Sequence, residues 1–253
     1  MKATEIQVGV VGLGLMGCSI ATCLLMSGHP VVAIAPIPVD METAEFRIRK
    51  HLTKAREEGL ITEAAEFYLK NLIISESYAE LKLCQLVIEC TIENEEIKRS
   101  VYGKIEAEIA DHALLTSNTS AIPISELQKL TQKPDRFFGL HWAEPSHTTR
   151  FLEIICGDQS DSKKGEYLYE LSHGWGKEPT LVRKDIRGFI ANRLMYAMYR
   201  EAFYLVENGY ATVEDVDRAC RNNTGYWMTL VGVFGWMDLT GVPAYHNVMK
   251  DLN

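Results

Sequence analysis

A glycine-rich turn near the start of the chain restricts the fold more than any other feature of the sequence. Residues 12–17 read Gly-Leu-Gly-Leu-Met-Gly, which is the spacing G-x-G-x-x-G. The turn ends an apolar run over residues 7–13 and opens a stretch with helical spacing of apolar residues over 15–27. A second apolar run, 31–35, then completes a βαβ unit. Strand, glycine turn and helix in this order predict a dinucleotide-binding start to the chain.

Each glycine of this turn has a physical role. Gly12 permits the tight bend, Gly14 lets the backbone approach a pyrophosphate, and Gly17 lets helix and strand pack closely. The helix adds unpaired backbone N–H groups and the positive end of its dipole. A glycine-rich turn without a ligand is the alternative, and the strand and helix around the motif favour the binding role.

The end of the second predicted strand lacks a residue that NAD sites normally have. An Asp or Glu usually stands there to hold the adenosine ribose hydroxyls. Here Ala35 and Pro36 occupy the place, the nearest acid is Asp40, and no Arg stands there to bind a 2′-phosphate. This strand therefore leaves NAD and NADP as open alternatives.

Strand and helix patterns alternate along the first three quarters of the chain and then stop. Apolar runs at 72–74, 86–90, 114–117, 137–142, 151–156 and 180–182 are separated by helical patterns at 44–69, 97–109 and 165–175. From Gly188 onward the apolar spacing is helical only. We therefore predict an α/β fold, with a Rossmann-type doubly wound sheet over residues 1–185 and a smaller all-helical C-terminal domain over residues 186–253.

Composition narrows the classes of partner. The chain has 26 Lys and Arg against 34 Asp and Glu, a net charge of −8, which argues against nucleic acid and anionic membranes as partners. Its six cysteines form no C-x-x-C pair and have no His at zinc-like spacing, so we expect no metal site and a cytoplasmic location. Residues 6–39 carry no charged side chain, but their glycines interrupt the run that a membrane helix needs.

Two side chains in the predicted sheet suit acid–base chemistry. His141 ends a strand at the edge where open α/β sheets place their clefts, and a histidine near neutrality suits removal of a hydroxyl proton. Glu153 lies in the next strand of what reads as a hairpin, so its carboxylate can hold the imidazole in one tautomer. Taken alone, His141 is more typical of a half-buried histidine with its hydrogen bonds satisfied.

Several separated motifs are spread over nearly the whole chain: residues 11–17, 88–94 (Ile-Glu-Cys-Thr-Ile-Glu-Asn) with Lys98, 117–120 (Ser-Asn-Thr-Ser), 136–141 (Arg-Phe-Phe-Gly-Leu-His) and 188–193 (Gly-Phe-Ile-Ala-Asn-Arg). In order and spacing they resemble the motifs of the 3-hydroxyacyl-CoA dehydrogenase family. The resemblance implies an NAD-dependent oxidoreductase similar to the 3-hydroxybutyryl-CoA dehydrogenases. It does not exclude NADP as the cofactor. Such an enzyme transfers a hydride between NAD(P) and the 3-hydroxy or 3-keto group of a small-molecule acyl-CoA in fatty acid metabolism. A homodimer formed through the helical domain is also implied.

The same resemblance implies roles for individual residues. His141 and Glu153 match the catalytic dyad, and Ser120 and Asn192 match groups that hydrogen-bond the substrate oxygen and the catalytic histidine. Without the resemblance, Ser120 would read as a helix cap and Glu93 as part of an acidic first helical turn. The implied cofactor contacts are Gly12, Gly14, Leu15, Met16, Gly17, Glu93, Lys98 and Ser120.

Departures from the family pattern keep other functions open. Residues 141–145 read His-Trp-Ala-Glu-Pro where the family usually reads His-Phe-Phe-Asn-Pro, which makes Glu144 a substrate-selectivity candidate. Its carboxyl could be protonated through burial, accept a hydrogen bond, or receive a cationic substrate group. Glu58 stands where a helix of the family is commonly basic. A free 3-hydroxy acid, carnitine- or gulonate-like, is therefore an alternative substrate, and Ala35 leaves open a low-activity dinucleotide-binding structural protein.

Overall fold

The computed structural model describes residues 6–251, and the chain divides into two compact units between Ala191 and Asn192. The ends of the two predicted domains, residues 1–5 and 252–253, lie outside the described residues. No helix within the described range is both long enough and apolar enough to cross a membrane.

Eight strands of the first unit form one sheet in the order β3-β2-β1-β4-β5-β6-β7-β8. The first six strands pair in parallel, β7 is antiparallel to β6, and β8 is parallel to β7. The chain adds β2 and β3 on one side of β1 and then crosses to the other side to form β4, which places a topological switch point between β1 and β4. The strands are β1 (Val8–Val11), β2 (Val31–Ile34), β3 (Leu72–Ser75), β4 (Leu86–Glu89), β5 (Leu114–Ser117), β6 (Phe137–Trp142), β7 (Phe151–Cys156) and β8 (Glu178–Val182).

Six helices of the first unit connect these strands, and apolar side chains fill the space on both faces of the sheet. Strands β1, β2, β4 and β5 are buried along their whole length, as parallel strands covered on both sides must be. The doubly wound sheet and the helical C-terminal region confirm the predicted fold class. The helices are α1 (Leu15–Met26), α2 (Pro38–Glu57), α3 (Ala65–Leu69), α4 (Glu95–Glu106), α5 (Ile124–Gln128) and α6 (Ser162–His173).

The prediction of a single helix over residues 44–69 is wrong, because the structure has two helices there with different bounds. Helix α2 begins earlier, at Pro38, because the fixed φ of proline suits the first helical position. It ends before Gly59, which adopts φ +75°, the left-handed conformation that commonly terminates helices. The rest of the predicted segment contains the short helix α3.

The second unit consists of helices, and many of its apolar side chains face solvent. Phe203, Tyr226 and Phe234 are each more than 60% exposed. Each unit contains one stacked pair of indole rings: Trp142 with Trp175 in the first, and Trp227 with Trp236 in the second, at centroid distances of 5.4 and 5.1 Å. The helices are α7 (Ala191–Glu207), α8 (Val213–Ala219), α9 (Gly225–Met228), α10 (Val233–Thr240) and α11 (Val242–Asp251).

Candidate active site

The glycine turn has the geometry that a bound pyrophosphate requires. Gly12 adopts φ +97°, and a Cβ on Gly17 would lie 1.8 Å from the carbonyl oxygen of Gly12, so both positions exclude a side chain. A Cβ on Gly14 would meet no heavy atom within 4 Å, which leaves open space beside the backbone. Helix α1 begins there without a side-chain cap and without an acid in its first turn. Its first N–H groups are therefore suited to an anion, and the turn fits the phosphates of a dinucleotide.

The acid nearest the end of β2 supports this turn. The Asp40 carboxylate accepts a hydrogen bond from the backbone N–H of Leu13 at 3.1 Å, and Arg47 donates to the carbonyl oxygen of Leu13 at 3.1 Å. Asp40 and Arg47 also approach each other to 4.0 Å. Two side chains of α2 thus bind both the N–H and the carbonyl group of Leu13 and hold the glycine turn in place. The sequence motif gave no sign of this role for Asp40.

Glu93 holds the loop that follows β5. Its carboxylate accepts hydrogen bonds from the Thr119 hydroxyl and from the backbone N–H groups of Ser120 and Ala121, and it lies 3.4 Å from the Lys98 ammonium. Burial alone would raise the pKa of Glu93, but the hydrogen bond from Thr119 and the charge of Lys98 hold it below its usual value. Glu93 is thus an ionised anchor, and it brings Ser120 and Lys98 together at one edge of the sheet.

The helix-terminus explanations of Glu93 and Ser120 are wrong. The acidic first turn of α4 consists of Glu95 and Glu96, and Asn94 caps that helix by accepting from Ile97 N at 3.1 Å. The N-cap of α5 is Pro123, so Ser120 does not cap it. Ser120 is exposed at the loop surface.

Lys98 is buried against a second carboxylate that sequence reasoning did not single out. Its ammonium donates to both carboxylate oxygens of Glu89 at 2.9 Å. Glu89 is itself fully buried and accepts further bonds from Ser117 Oγ at 2.7 Å, Tyr102 Oη at 3.1 Å and Thr91 N at 2.6 Å. A buried ion pair with every acceptor satisfied holds its members rigidly. The network therefore fixes the loops after β4 and β5.

His141 and Glu153 face each other directly across the β6–β7 pair. His141 Nδ1 lies 2.8 Å from Glu153 Oε2, and both side chains are buried. The other carboxylate oxygen, Oε1, accepts from the backbone N–H groups of Ile190 at 3.0 Å and Ala191 at 2.9 Å. An ionised carboxylate only accepts hydrogen bonds, so Nδ1 carries the proton. Nε2 is then the nitrogen of the imidazole that can take up a proton.

Aromatic rings and a backbone tether complete the surroundings of His141. The rings of Phe151 and Phe189 lie with centroids 5.5 Å from the imidazole. Phe189 adopts φ +50°, a strained conformation for a residue with a side chain. On the other side, Asn118 Oδ1 accepts from Trp142 N at 3.0 Å, which joins the end of β6 to the loop after β5. Asn118 thus links the surroundings of His141 to those of Ser120.

Asn192 is the one predicted catalytic residue that belongs to the second unit. It follows Ala191, whose N–H binds Glu153. The predicted role of Asn192 toward the substrate stays a prediction.

The loop of residues 143–150 between β6 and β7 carries the departures from the family pattern. Glu144 is exposed, which contradicts the alternative that places its carboxyl in a buried site. His147 stacks on His51 of α2, with ring centroids 5.1 Å apart and an interplanar angle of 24°. Burial and the neighbouring His51 lower the pKa of His147 to about 4. No sequence motif predicted this pair.

Within residues 6–251, no three His, Cys, Asp or Glu side chains are grouped to hold a metal ion.

Comparison with known proteins gives matches over both units. The family model described as "3-hydroxyacyl-CoA dehydrogenase, NAD binding domain" matches residues 7–186, and the model for the C-terminal domain matches residues 188–253. The first match confirms NAD as the predicted cofactor.

The similar individual proteins act, by their names, on two kinds of substrate. A 5-formyl-3-hydroxy-2-methylpyridine 4-carboxylate 5-dehydrogenase of Mesorhizobium japonicum is 32% identical over 98% of this chain and 80% of its own. A 3-hydroxybutyryl-CoA dehydrogenase of Bradyrhizobium diazoefficiens is 30% identical over 100% of this chain and 85% of its own. A crystal structure of the pyridine carboxylate enzyme, described as an NAD+ dependent dismutase, aligns with TM-score 0.88 and 31% identity over 98% of this chain and 80% of its own.

Proposed function

The chain belongs to the 3-hydroxyacyl-CoA dehydrogenase family, whose members are NAD-dependent oxidoreductases, and from that premise we propose its reaction. It transfers a hydride between NAD and the 3-hydroxy or 3-keto group of a 3-hydroxyacyl-CoA. The observation that carries the proposal is the buried His141–Glu153 pair, in which a carboxylate fixes the tautomer of a histidine at the end of a strand.

The proposed mechanism assigns the proton to His141. When bound, NAD supplies the acceptor of the hydride. Nε2 of His141 takes the proton of the substrate hydroxyl, and Glu153 stabilises the imidazolium that forms. In the reverse direction His141 returns the proton to the substrate oxygen. General acid–base catalysis of this kind contributes about 10²- to 10⁴-fold to a rate.

The remaining site residues serve binding in this proposal. The glycine turn and the first residues of α1, Leu15 and Met16, receive the pyrophosphate. Glu93, Lys98 and Ser120 form the further cofactor contacts, and Ser120 and Asn192 orient the substrate oxygen. The ionised Glu93 and the buried Glu89–Lys98 pair support these assignments, because they keep the loops around Ser120 in one arrangement.

Turnover of NADH with acetoacetyl-CoA, followed at 340 nm, tests the proposal, with NADPH measured in parallel. We expect NADH consumption by the natural protein and none by His141→Ala, with NADH binding unchanged by fluorescence. His112→Ala is the matched control because His112 is exposed on a turn. Equal turnover in His141→Ala and the control would refute the role of His141. Binding without any turnover would instead favour the low-activity structural protein.

A second candidate substrate is a free 3-hydroxy acid that carries a cationic group, because the Glu144 carboxylate attracts a cation. This exposed carboxylate stands where acyl-CoA members have an amide, and the Mesorhizobium japonicum relative is named for a formyl pyridine carboxylate. If this carboxylate excludes acyl-CoA, Glu144→Asn raises kcat/KM for acetoacetyl-CoA by about tenfold. The control is Glu166→Gln, at an exposed surface ion pair with Arg183. No gain in Glu144→Asn removes Glu144 as the selectivity determinant.

Assembly and location complete the proposal. We propose that the predicted helical domain, residues 186–253, forms a homodimer interface, because monomers rarely expose large apolar patches and its aromatic side chains are exposed. Light scattering after gel filtration is expected to give twice the mass of one chain. The six free cysteines fit a cytoplasmic location. A 3-hydroxyacyl-CoA substrate would place the reaction in fatty acid metabolism.

A further inference from the structure

The loop of residues 143–150 joins the strand of His141 to the strand of its partner carboxylate. The loop is closed on itself by hydrogen bonds. Thr149 N donates to the carbonyl oxygen of Pro145 at 3.0 Å, and Thr149 Oγ1 donates to that of Ala143 at 3.3 Å. Within the loop, Glu144 is exposed and His147 is half-buried.

Two side chains from other elements hold this loop from outside. Ser19 of α1 accepts a hydrogen bond from Ser146 N at 2.8 Å, and both serines are fully buried. Lys177, immediately before β8, donates from its ammonium to the carbonyl oxygens of Ser146 and Thr149. The loop is thus attached to α1 by a hydroxyl and to β8 by a charged group.

The environment of Lys177 is unusual for a lysine. It is 4% exposed, and the ion pairs of the described chain do not include it. Its third contact is the ring of Trp142, with the ammonium 5.0 Å from the centroid. Burial lowers the pKa of Lys177. A buried ammonium without a counter-ion destabilises a fold unless dipoles replace its water, so packing alone does not explain a lysine at this position.

The contacts of Lys177 connect the loop to His141. Trp142, under the ammonium, directly follows His141, and its N–H is held by Asn118. One charged group therefore contacts both the residue next to the catalytic base and the loop of residues 143–150. We propose that Lys177 is a positioning residue that fixes this loop, and with it Glu144 and His147, against the substrate beside His141. This inference rests on the proposed function.

The test compares Lys177→Met, which keeps the length of the side chain but removes all its donors, with Lys129→Met, which breaks an exposed ion pair with Glu126. We expect Lys177→Met to raise the KM for acetoacetyl-CoA at least tenfold while the Kd for NADH changes less than twofold. Hydrogen exchange at the amides of residues 143–150 is expected to become at least tenfold faster. Exchange in the glycine turn stays unchanged, which separates a local effect from general unfolding.

Lys177→Gln, which retains a neutral donor, covers the outcome in which Lys177→Met does not fold, and we expect smaller changes in the same direction. Unchanged loop exchange overturns the inference, as does faster exchange with an unchanged KM. Because exchange is measured without substrate, a natural protein inactive toward acetoacetyl-CoA refutes the proposed function separately. In that case faster exchange confined to residues 143–150 supports the anchoring role of Lys177, and unchanged exchange overturns it.

Discussion

Replacing Glu153 with glutamine tests the tautomer argument directly. The Glu153 carboxylate receives three N–H donors, from His141 Nδ1 and from the backbone of Ile190 and Ala191. Glutamine has nearly the same shape but offers one acceptor oxygen and one donor group. Either the two backbone N–H groups or the imidazole must then face an NH₂ group.

The energies of the two arrangements decide which one forms. Turning the NH₂ toward the backbone leaves two buried N–H donors without an acceptor, at about 1–3 kcal/mol each. Turning it toward His141 is cheaper, because the imidazole can move its proton to Nε2 and accept at Nδ1. That tautomer has no free Nε2 lone pair for the substrate proton. A comparable change in serine protease triads lowers kcat about 10⁴-fold, so we expect a loss of about 10³- to 10⁴-fold, or about 4–5.5 kcal/mol.

The assay is steady-state oxidation of NADH with acetoacetyl-CoA, with thermal unfolding and NADH binding as checks on structure. Glu126→Gln, at an exposed position, is the control. The loss in Glu153→Gln should appear in kcat with little change in the Kd for NADH. A kcat within tenfold of the natural protein would refute the reasoning that Glu153 sets the tautomer of His141.

Two further perturbations have expected outcomes. Gly17→Ala places a Cβ 1.8 Å from the carbonyl oxygen of Gly12, so we expect NADH binding to be lost in a fluorescence titration. The control is Gly103→Ala on α4, where a Cβ would meet no heavy atom within 4 Å. We expect His147→Phe to weaken the pH dependence of the free energy of unfolding. In the unfolded chain His147 binds a proton below about pH 6.5, whereas in the folded chain its pKa is lowered to about 4, so acid favours unfolding. The stabilisation is full above pH 6.5 and falls between pH 6.5 and 4, by about 1 kcal/mol once the partial exposure of His147 is discounted. Urea midpoints at pH 7.5 and 5 measure it, and equal pH dependence in both proteins would contradict the argument.

Local sequence patterns predicted the parts of the molecule that depend on local physics. All eight predicted strands are present. Strands buried along their whole length, such as β1 and β4, require continuous apolar runs that are visible in the sequence. The opposition of His141 and Glu153 follows from the same patterns, since a short loop between two strands fixes which residues face each other. The family resemblance added the cofactor, which the end of β2 had left open.

Those local patterns could not predict contacts between segments that are distant in the sequence. Nothing in the sequence around Asp40 indicates that its carboxylate binds Leu13 N, and a lysine before β8 reads as a surface residue. His51 and His147 meet only because α2 and the loop after β6 pack side by side. The break at Gly59 was missed because helical spacing on either side of a glycine looks continuous.

The two stacked indole pairs give each unit its own optical signature. Rings held about 5 Å apart couple their electronic transitions, and the coupled bands appear as a couplet in circular dichroism. Trp142→Phe removes the couplet of the first unit, and Trp236→Phe removes that of the second. Each variant therefore reports the melting of one unit without an added label. Coincident melting of the two couplets would identify the chain as a single cooperative system, and separate melting would identify two.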